Sequence, residues 1–359
     1  MIDRAWLEID AQALLNNYQQ IQNRVGRSKV MAVVKDVFYG LGVDSVLTLQ
    51  EHGVDFFATA TISEALELRH AGIDKNILVL GYTHPSRFIE LVQNDLHQTI
   101  ISYDYGLKIE TFHERIKTHL KINTGMNRLG VNYKEREKIL DLYNRLEISG
   151  VFSHLLASDE LTEKGRDVTK LQIQRMDEVI DFLESHNVGV GFAHLHNSYG
   201  CLNYGEYQYD YVRPGLIFVG CPDAENFQNA LTLKARVAMV KDIKKNEQIG
   251  YGAENTVPRD MRVATVTIGY GDGLERRLAE TDFTPSIGGV ACPFVGRMSM
   301  DQCVVDVSHV DNVKEGDVIE FLNNEHDVFK MAEALNTIPY EILTHMMSRL
   351  PRSNINEEL

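Results

Sequence analysis

The chain of 359 residues lacks several things, and each absence argues against a class of function. It has only four cysteines, Cys201, Cys221, Cys292 and Cys303, with no CxxC pair and no zinc-type spacing. That argues against a disulfide framework or a cysteine-built metal site, and for reduced thiols in a cytoplasmic protein. Basic charge is also scarce: 36 Lys and Arg stand against 51 Asp and Glu, a net charge of −15. Binding a phosphate backbone needs clustered cations, and the one local cluster, Lys241 to Lys245, reads as a small solvated turn, so a nucleic-acid role is disfavoured. No apolar run approaches the length of a membrane span, and Met1 to Asp10 has no apolar signal-peptide core. No G-x-G-x-x-G turn follows the first strand candidate, which weakens a dinucleotide-binding reading.

What is present is the balance of a globular enzyme, 44% hydrophobic and 24% charged. The first two-thirds alternates short β-branched runs with helical spacing. The strand candidates are Val30–Val34, Phe56–Thr61, Ile77–Gly81, Thr99–Ser102, Leu120–Asn123, Ile148–His154, Phe192–His196 and Val212–Val219. Helical segments lie between them, for example Ser63 to Arg69 with Ser63 placed as an N-cap. Eight repeats of strand then helix predict an α/β fold, a (β/α)₈ TIM-type barrel, over residues 11–225. After about Leu231 the period changes to two, in Leu233–Val240, Met261–Ile268, Gln302–Val307 and Asp317–Phe321. Short helical stretches are expected near Met331–Leu335 and Tyr340–Met347. Residues 226–359, joined by a strand at Trp6–Asp10 from residues 1–10, are thus expected to form a mainly β domain.

Barrel enzymes carry their chemistry at the C-terminal ends of the strands. Those ends here hold Lys35, Lys121 with Arg128 after it, His154, Asn197 with Ser198, and Arg213 before Pro214 and Gly215. A single strand-end lysine such as Lys35 has two readings, a solvated surface amine or one desolvated enough to lose its proton and act as a nucleophile. Convergence from at least five strands favours a built site.

These segments resemble the alanine racemases, pyridoxal-phosphate enzymes with a barrel and a C-terminal β domain. The resemblance covers essentially the whole chain. Lys35, Tyr39, Gly40 and Gly42 match the cofactor-lysine motif, and His119 to Gly130 the arginine-bearing one. His194 to Ser198 and Val212 to Gly215 match the phosphate and pyridine contacts. Gly250-Tyr251-Gly252-Ala253, Gly269 to Gly273, Gly296 to Gln302 and Leu350-Pro351-Arg352 follow in order. The resemblance implies pyridoxal 5'-phosphate held on Lys35, with Tyr251, from the second subunit of a homodimer, as the opposing base. His154 and Arg213 would tune Tyr251, and Arg213 would also face the pyridine nitrogen. Arg128 would contact the cofactor's phenolic oxygen or the substrate carboxylate. Tyr39, Asn197, Ser198 and the backbone at Gly215 would complete the cofactor site, and the Met300 N–H would meet the substrate carboxylate. Lys121, Tyr270 and Asp301 are expected as supporting or entry residues. Lys121 is either a plain ammonium or, as is frequent in the family, carbamylated. No metal is expected.

Several positions depart from the family pattern. Asp36, Val37 and Phe38 replace Ala, Asn or Asp, and Ala; Leu41 replaces a histidine, Asn123 an aspartate and Ser299 a cysteine. Ser348 stands where some members carry a tyrosine. Loss of that ring adds room and a hydroxyl, which predicts alanine as first substrate and serine as second. The alternatives are a broad-specificity or serine racemase of the same family, a basic-amino-acid decarboxylase, whose reactive-cysteine motif is missing, a single-domain cofactor carrier, which would not need Tyr251, and a degenerate binding protein.

Overall fold

The computed structural model describes residues 3–221, 224–253, 255–324, 327–346 and 348–356. It divides into two compact units, one of Leu15–Phe38 and Gly42–Phe218, the other of Met1–Leu14, Tyr39–Leu41 and Val219–Leu359. Residues 222–223 of the expected barrel, and 1–2, 254, 325–326, 347 and 357–359 of the expected β domain, lie outside the described residues.

The first unit is a closed parallel barrel. Its strands are Lys29–Val33, Phe56–Thr59, Asn76–Val79, His97–Ile100, Thr118–Asn123, Ile148–Phe152, Phe192–His194 and Tyr211–Val212. The ring closes where Tyr211 and Val212 pair with Lys29 and Val30. A ninth, two-residue strand, Val131–Asn132, lies beside Ile122 and Asn123. Parallel strands covered on both faces need apolar side chains on both, and Met31, Phe56, Phe57, Leu78, Ile100, Leu120 and Val151 are fully buried. Each crossover carries a helix, from Val43–Glu51 to the longest, Glu163–Ser185.

The eight expected strands are all present, with different ends. The last was expected to run to Val219 but stops at Val212; Pro214, which has no N–H to give a ladder, follows, and a 3₁₀ turn takes up Leu216–Phe218. The sixth stops at Phe152 and the seventh at His194, so Ser153, His154, Asn197 and Ser198 lie beyond the hydrogen-bonded ladder. The N-cap expected at Ser63 is instead Thr61. The Thr61 hydroxyl accepts from the Glu64 N–H while the Glu64 side chain accepts from the Thr61 N–H, a reciprocal capping box.

In the second unit the strand Leu231–Ile243 alternates buried and partly exposed residues over its first half and organises an eight-stranded sheet. Ala5–Asp10, the strand expected at the N-terminus, pairs antiparallel with its first half, and Arg352–Ile355 pairs parallel with Ala5–Asp10. Met261–Val266 and Val318–Leu322 also pair with the long strand, and the helices Val328–Leu335 and Pro339–His345 follow. No helix among the described residues is long and apolar enough to cross a membrane.

The corrected cap is directly testable. Thr61→Ala should cost about 1 kcal/mol in urea unfolding, whereas Ser63→Ala should stay within about 0.5 kcal/mol of the parent. Equal losses would contradict the assignment.

Candidate active site

The barrel mouth is organised around a buried cation. Arg213 is 4% exposed, and a guanidinium can only donate hydrogen bonds. It donates to the Ser153 carbonyl at 2.6 Å, the Leu195 carbonyl at 3.1 Å, His194 Nδ1 at 2.8 Å and His154 Nδ1 at 3.4 Å. Burial lowers its pKa to about 9, which still leaves it charged at neutral pH. The donor direction fixes the imidazoles. His194 accepts at Nδ1, so its proton sits on Nε2, which donates to His119 Nδ1 at 2.8 Å. Burial holds His154, His194 and His119 well below the ordinary histidine range, and the Arg213 charge pushes the same way. All three are neutral at physiological pH.

Two amines share this field. Lys121 is 7% exposed, and burial, then Arg213, Arg128 and Lys35, bring its pKa down to about 7. Lys35 is half-buried; burial and the Arg128 charge lower its proton affinity, while Glu64 and Asp36 oppose them. Both lysines therefore lean toward the neutral, nucleophilic form.

The chain after Lys35 turns left-handed. Asp36, Val37, Phe38 and Tyr39 have φ of 53°, 52°, 55° and 51°. For L-residues this costs roughly 1–2 kcal/mol per position, most for β-branched Val37. The turn is held by Phe38 N–H to the Val34 carbonyl (3.2 Å), Gly42 N–H to the Val37 carbonyl (2.9 Å) and Asp36 N–H to Glu64 Oε1 (2.7 Å). Phe38 is buried edge-to-face against Phe218, with ring centroids 5.4 Å apart, which accounts for the aromatic ring at that position. Nothing in the structure explains why Val37, 46% exposed, takes the place of the Asn or Asp of the family pattern.

Arg128 is exposed at the end of a turn built by Asn123. The Asn123 Oδ1 accepts from the Gly125 and Asn127 N–H groups, and its Nδ2 donates to Asn127 Oδ1, so the amide supplies the acceptor an aspartate would. Buried Gln172, from the helix Glu163–Ser185, donates to Thr124 Oγ1 and the His154 carbonyl and accepts from the Leu156 N–H. Ser198 Oγ accepts from the Gly215 N–H at 3.0 Å. The Asn197 carboxamide oxygen caps the short helix Ser198–Asn203 through the Gly200 N–H and accepts from Ser158.

The other expected residues belong to the β unit. Tyr251 projects from a turn between Gly250 and Gly252, both at positive φ, and is 69% exposed. Asn255 Nδ2 donates to its carbonyl at 2.5 Å. The segments carrying Tyr270 and Met300 are joined through backbone: Tyr270 N–H donates to the Ser299 carbonyl and Gly271 N–H to the Met300 carbonyl, and a Cβ at Gly269 would lie 2.2 Å from the Ser299 carbonyl oxygen. Buried Asp272 takes Arg349 Nε at 2.7 Å and also pairs with Arg4, while Asp301 accepts from Arg349. Tyr39 lies edge-to-face on Tyr340. The structure thus brings Lys35, Lys121, Arg128, His154 and Arg213 into one electrostatic field, and Tyr251, Tyr270, Met300 and Asp301 into the other unit. Sequence reasoning missed Glu64, Gln172, Ser153 and the His194–His119 link. Only Glu64 had a local signal, its place three residues after Thr61.

A closed parallel barrel with ionisable groups at the strand C-termini is an enzyme architecture. Residues 9–223 match the family model for the alanine racemase N-terminal domain, and residues 230–354 the one for the C-terminal domain. The chain is 34% identical to alanine racemase 1 of Caldanaerobacter subterraneus subsp. tengcongensis, over 96% of this chain and 93% of that protein. It is 38% identical to the serine/alanine racemase of Enterococcus gallinarum over 97% of its own length, and spans about half (51%) of that longer protein. Its fold is similar to the crystal structure of alanine racemase from Bartonella henselae with covalently bound pyridoxal phosphate, with a TM-score of 0.88 and 26% identity over 99% of this chain and 100% of that one. The chain belongs to the alanine racemase family, whose members are isomerases acting as racemases.

Two expectations test this geometry. Replacing strained, exposed Val37 by asparagine, which tolerates positive φ, should raise stability by roughly 1 kcal/mol in urea unfolding; a loss would contradict the left-handed turn. Lys121 has a folded pKa below its ordinary 10.5, so its buried charge costs stability fully below pH 7 and progressively less as pH rises toward 10.5. Lys121→Met should therefore stabilise most at or below pH 7, with the gain fading at alkaline pH. A gain independent of pH would contradict the burial of that charge.

Proposed function

We propose that this chain interconverts L- and D-alanine with pyridoxal 5'-phosphate held on Lys35 and Tyr251 as the opposing base. The observation that carries the reading is the half-buried Lys35 amine, its proton affinity lowered by burial and Arg128 at the mouth of the barrel. The residues present fit the cofactor by the chemistry of their donors. Lys35 offers an amine for the aldehyde, Ser198 Oγ and the Gly215 N–H a hydroxyl and amide pair for phosphate, with Tyr39 and Asn197 as further partners, and Arg213 a fixed cation for the ring nitrogen. When bound, the cofactor supplies an electron sink for the substrate's α-carbon. Arg213 can donate a hydrogen bond but not accept a proton, so facing a ring nitrogen it would leave that nitrogen unprotonated, which would keep the sink weak and disfavour side reactions.

Racemisation needs two proton-handling groups on opposite faces. Lys35, leaning toward its neutral form, suits one. His154 suits the support of the other, because Arg213 donates to its Nδ1 and leaves the ring proton on Nε2. A neutral Nε2–H can only donate, and it suits an acceptor oxygen such as the Tyr251 hydroxyl oxygen. The exposure of Tyr251 and Met300, at 69% and 52%, supports a homodimer in which these residues and Tyr270 complete the partner's site. Arg128 is assigned to the substrate carboxylate or the cofactor's phenolic oxygen, the Met300 N–H to the substrate carboxylate, and Asp301 a supporting place at the entry. Lys121, with a pKa of about 7, keeps a neutral fraction of the kind carbon dioxide carbamylates. Four buried free thiols accord with a cytoplasmic location.

Serine is read as the second substrate, supported by exposed Ser348 and by the name of the Enterococcus gallinarum relative. Optical rotation and visible absorbance test the whole reading. Lys35→Ala should lose the absorbance of the bound cofactor. Tyr251→Phe should keep it and racemise alanine about 10²-fold or more slowly in at least one direction. A fully active Tyr251→Phe protein would sink the two-base assignment, and L-serine left untouched while L-alanine racemises rapidly would remove the second substrate.

A further inference from the structure

Resting on the reading of Lys35 as the residue that carries the cofactor, we propose that Glu64 is its positioning residue, latching the left-handed turn after Lys35 to the end of the neighbouring barrel strand. A capping box needs one carboxylate oxygen, and Glu64 Oε2 fills that role, accepting from the Thr61 N–H at 2.8 Å and the Thr61 hydroxyl at 3.2 Å, as well as from the Ala60 N–H at 2.8 Å. The other oxygen leaves the cap altogether. Oε1 accepts from the N–H of Asp36, the residue bonded directly to Lys35, at 2.7 Å.

The Phe38 and Gly42 N–H groups close on Val34 and Val37, and the Asp36 N–H goes to Glu64. A left-handed stretch is unstable for these residue types by itself, so what fixes its first peptide fixes the direction in which the lysine leaves the strand. Ala60 and Thr61 directly follow the strand Phe56–Thr59, which pairs with Lys29–Val33. One side chain therefore ties the ends of two adjacent strands together. Its charge acts as well: Glu64 and Asp36 favour the Lys35 ammonium, against burial and Arg128.

The test separates the latch from the cap. Glutamine has one acceptor oxygen, so Glu64→Gln can serve Thr61 or Asp36 but not both, and carries no charge. Glu64→Asp keeps the charge and is one methylene shorter. Thr61→Ala weakens the cap and leaves the carboxylate. Apoprotein of each would be mixed with pyridoxal 5'-phosphate across a pH series, following the visible absorbance of the bound cofactor, alongside thermal melts. Glu64→Gln is expected to lower the high-pH plateau rate of cofactor capture at least about tenfold and to move the pH midpoint of capture downward. Glu64→Asp is expected to lower the plateau with the midpoint unmoved, and Thr61→Ala to melt earlier while capturing cofactor at the parent rate. Parent-like plateau and midpoint in Glu64→Gln would overturn the proposal, as would plateau rates that fall in all three variants in proportion to lost melting temperature. Failure of the parent protein itself to take up cofactor on Lys35 would instead overturn the reading of Lys35.

Discussion

The burial of Arg213 is the constraint on which the rest of the barrel mouth depends. A guanidinium that stays charged at 4% exposure must find acceptors, and the chain supplies two backbone carbonyls and two imidazole nitrogens. The carbonyls of Ser153 and Leu195 are available because strands six and seven stop at Phe152 and His194. The imidazoles accept at these nitrogens only if neutral, and burial keeps them so, with the cation acting in the same direction. Burial, with this fixed positive charge pushing the same way, keeps His154, His194 and His119 neutral, and the charge adds to the burial that draws Lys121 down to about 7.

Lys35 is governed by a balance around that centre. Burial and Arg128 press it toward the neutral amine; Glu64 and Asp36 hold it back. An amine poised in this way can be a nucleophile and later a proton carrier, which the proposed racemisation requires. Its placement depends on a backbone conformation that local preferences oppose. Four consecutive positive φ values persist because neighbouring groups over-determine them, chiefly the Glu64 carboxylate and the Phe38–Phe218 contact.

Much of the architecture was legible because its signals are local or periodic. Short apolar runs between helical segments mark the eight barrel strands, and the period-two pattern after Leu231 marks the sheet. Strand ends were less legible. Val212 to Val219 reads as one apolar strand, yet Pro214 ends the ladder and Arg213 must turn to its acceptors. The N-cap fell on Thr61 rather than Ser63, because the reciprocal bond with Glu64 fixes the start two residues earlier. The left-handed turn had no signal at all: Val, Phe and Tyr are poor choices for positive φ, and only tertiary contacts place them there. Gln172 and the His194–His119 link escaped for the same reason, their partners being distant in sequence. The motif resemblance named the site residues, while the hydrogen-bond directions that assign the histidine protons came from the structure.

The account rests on Lys35, and not its neighbour Lys121, being the amine that takes the cofactor. The direct measurement is borohydride reduction of the protein incubated with pyridoxal 5'-phosphate, followed by peptide mass mapping. The account expects a single phosphopyridoxyl group on the peptide containing Lys35. The same group on Lys121, or spread over surface lysines, would contradict it.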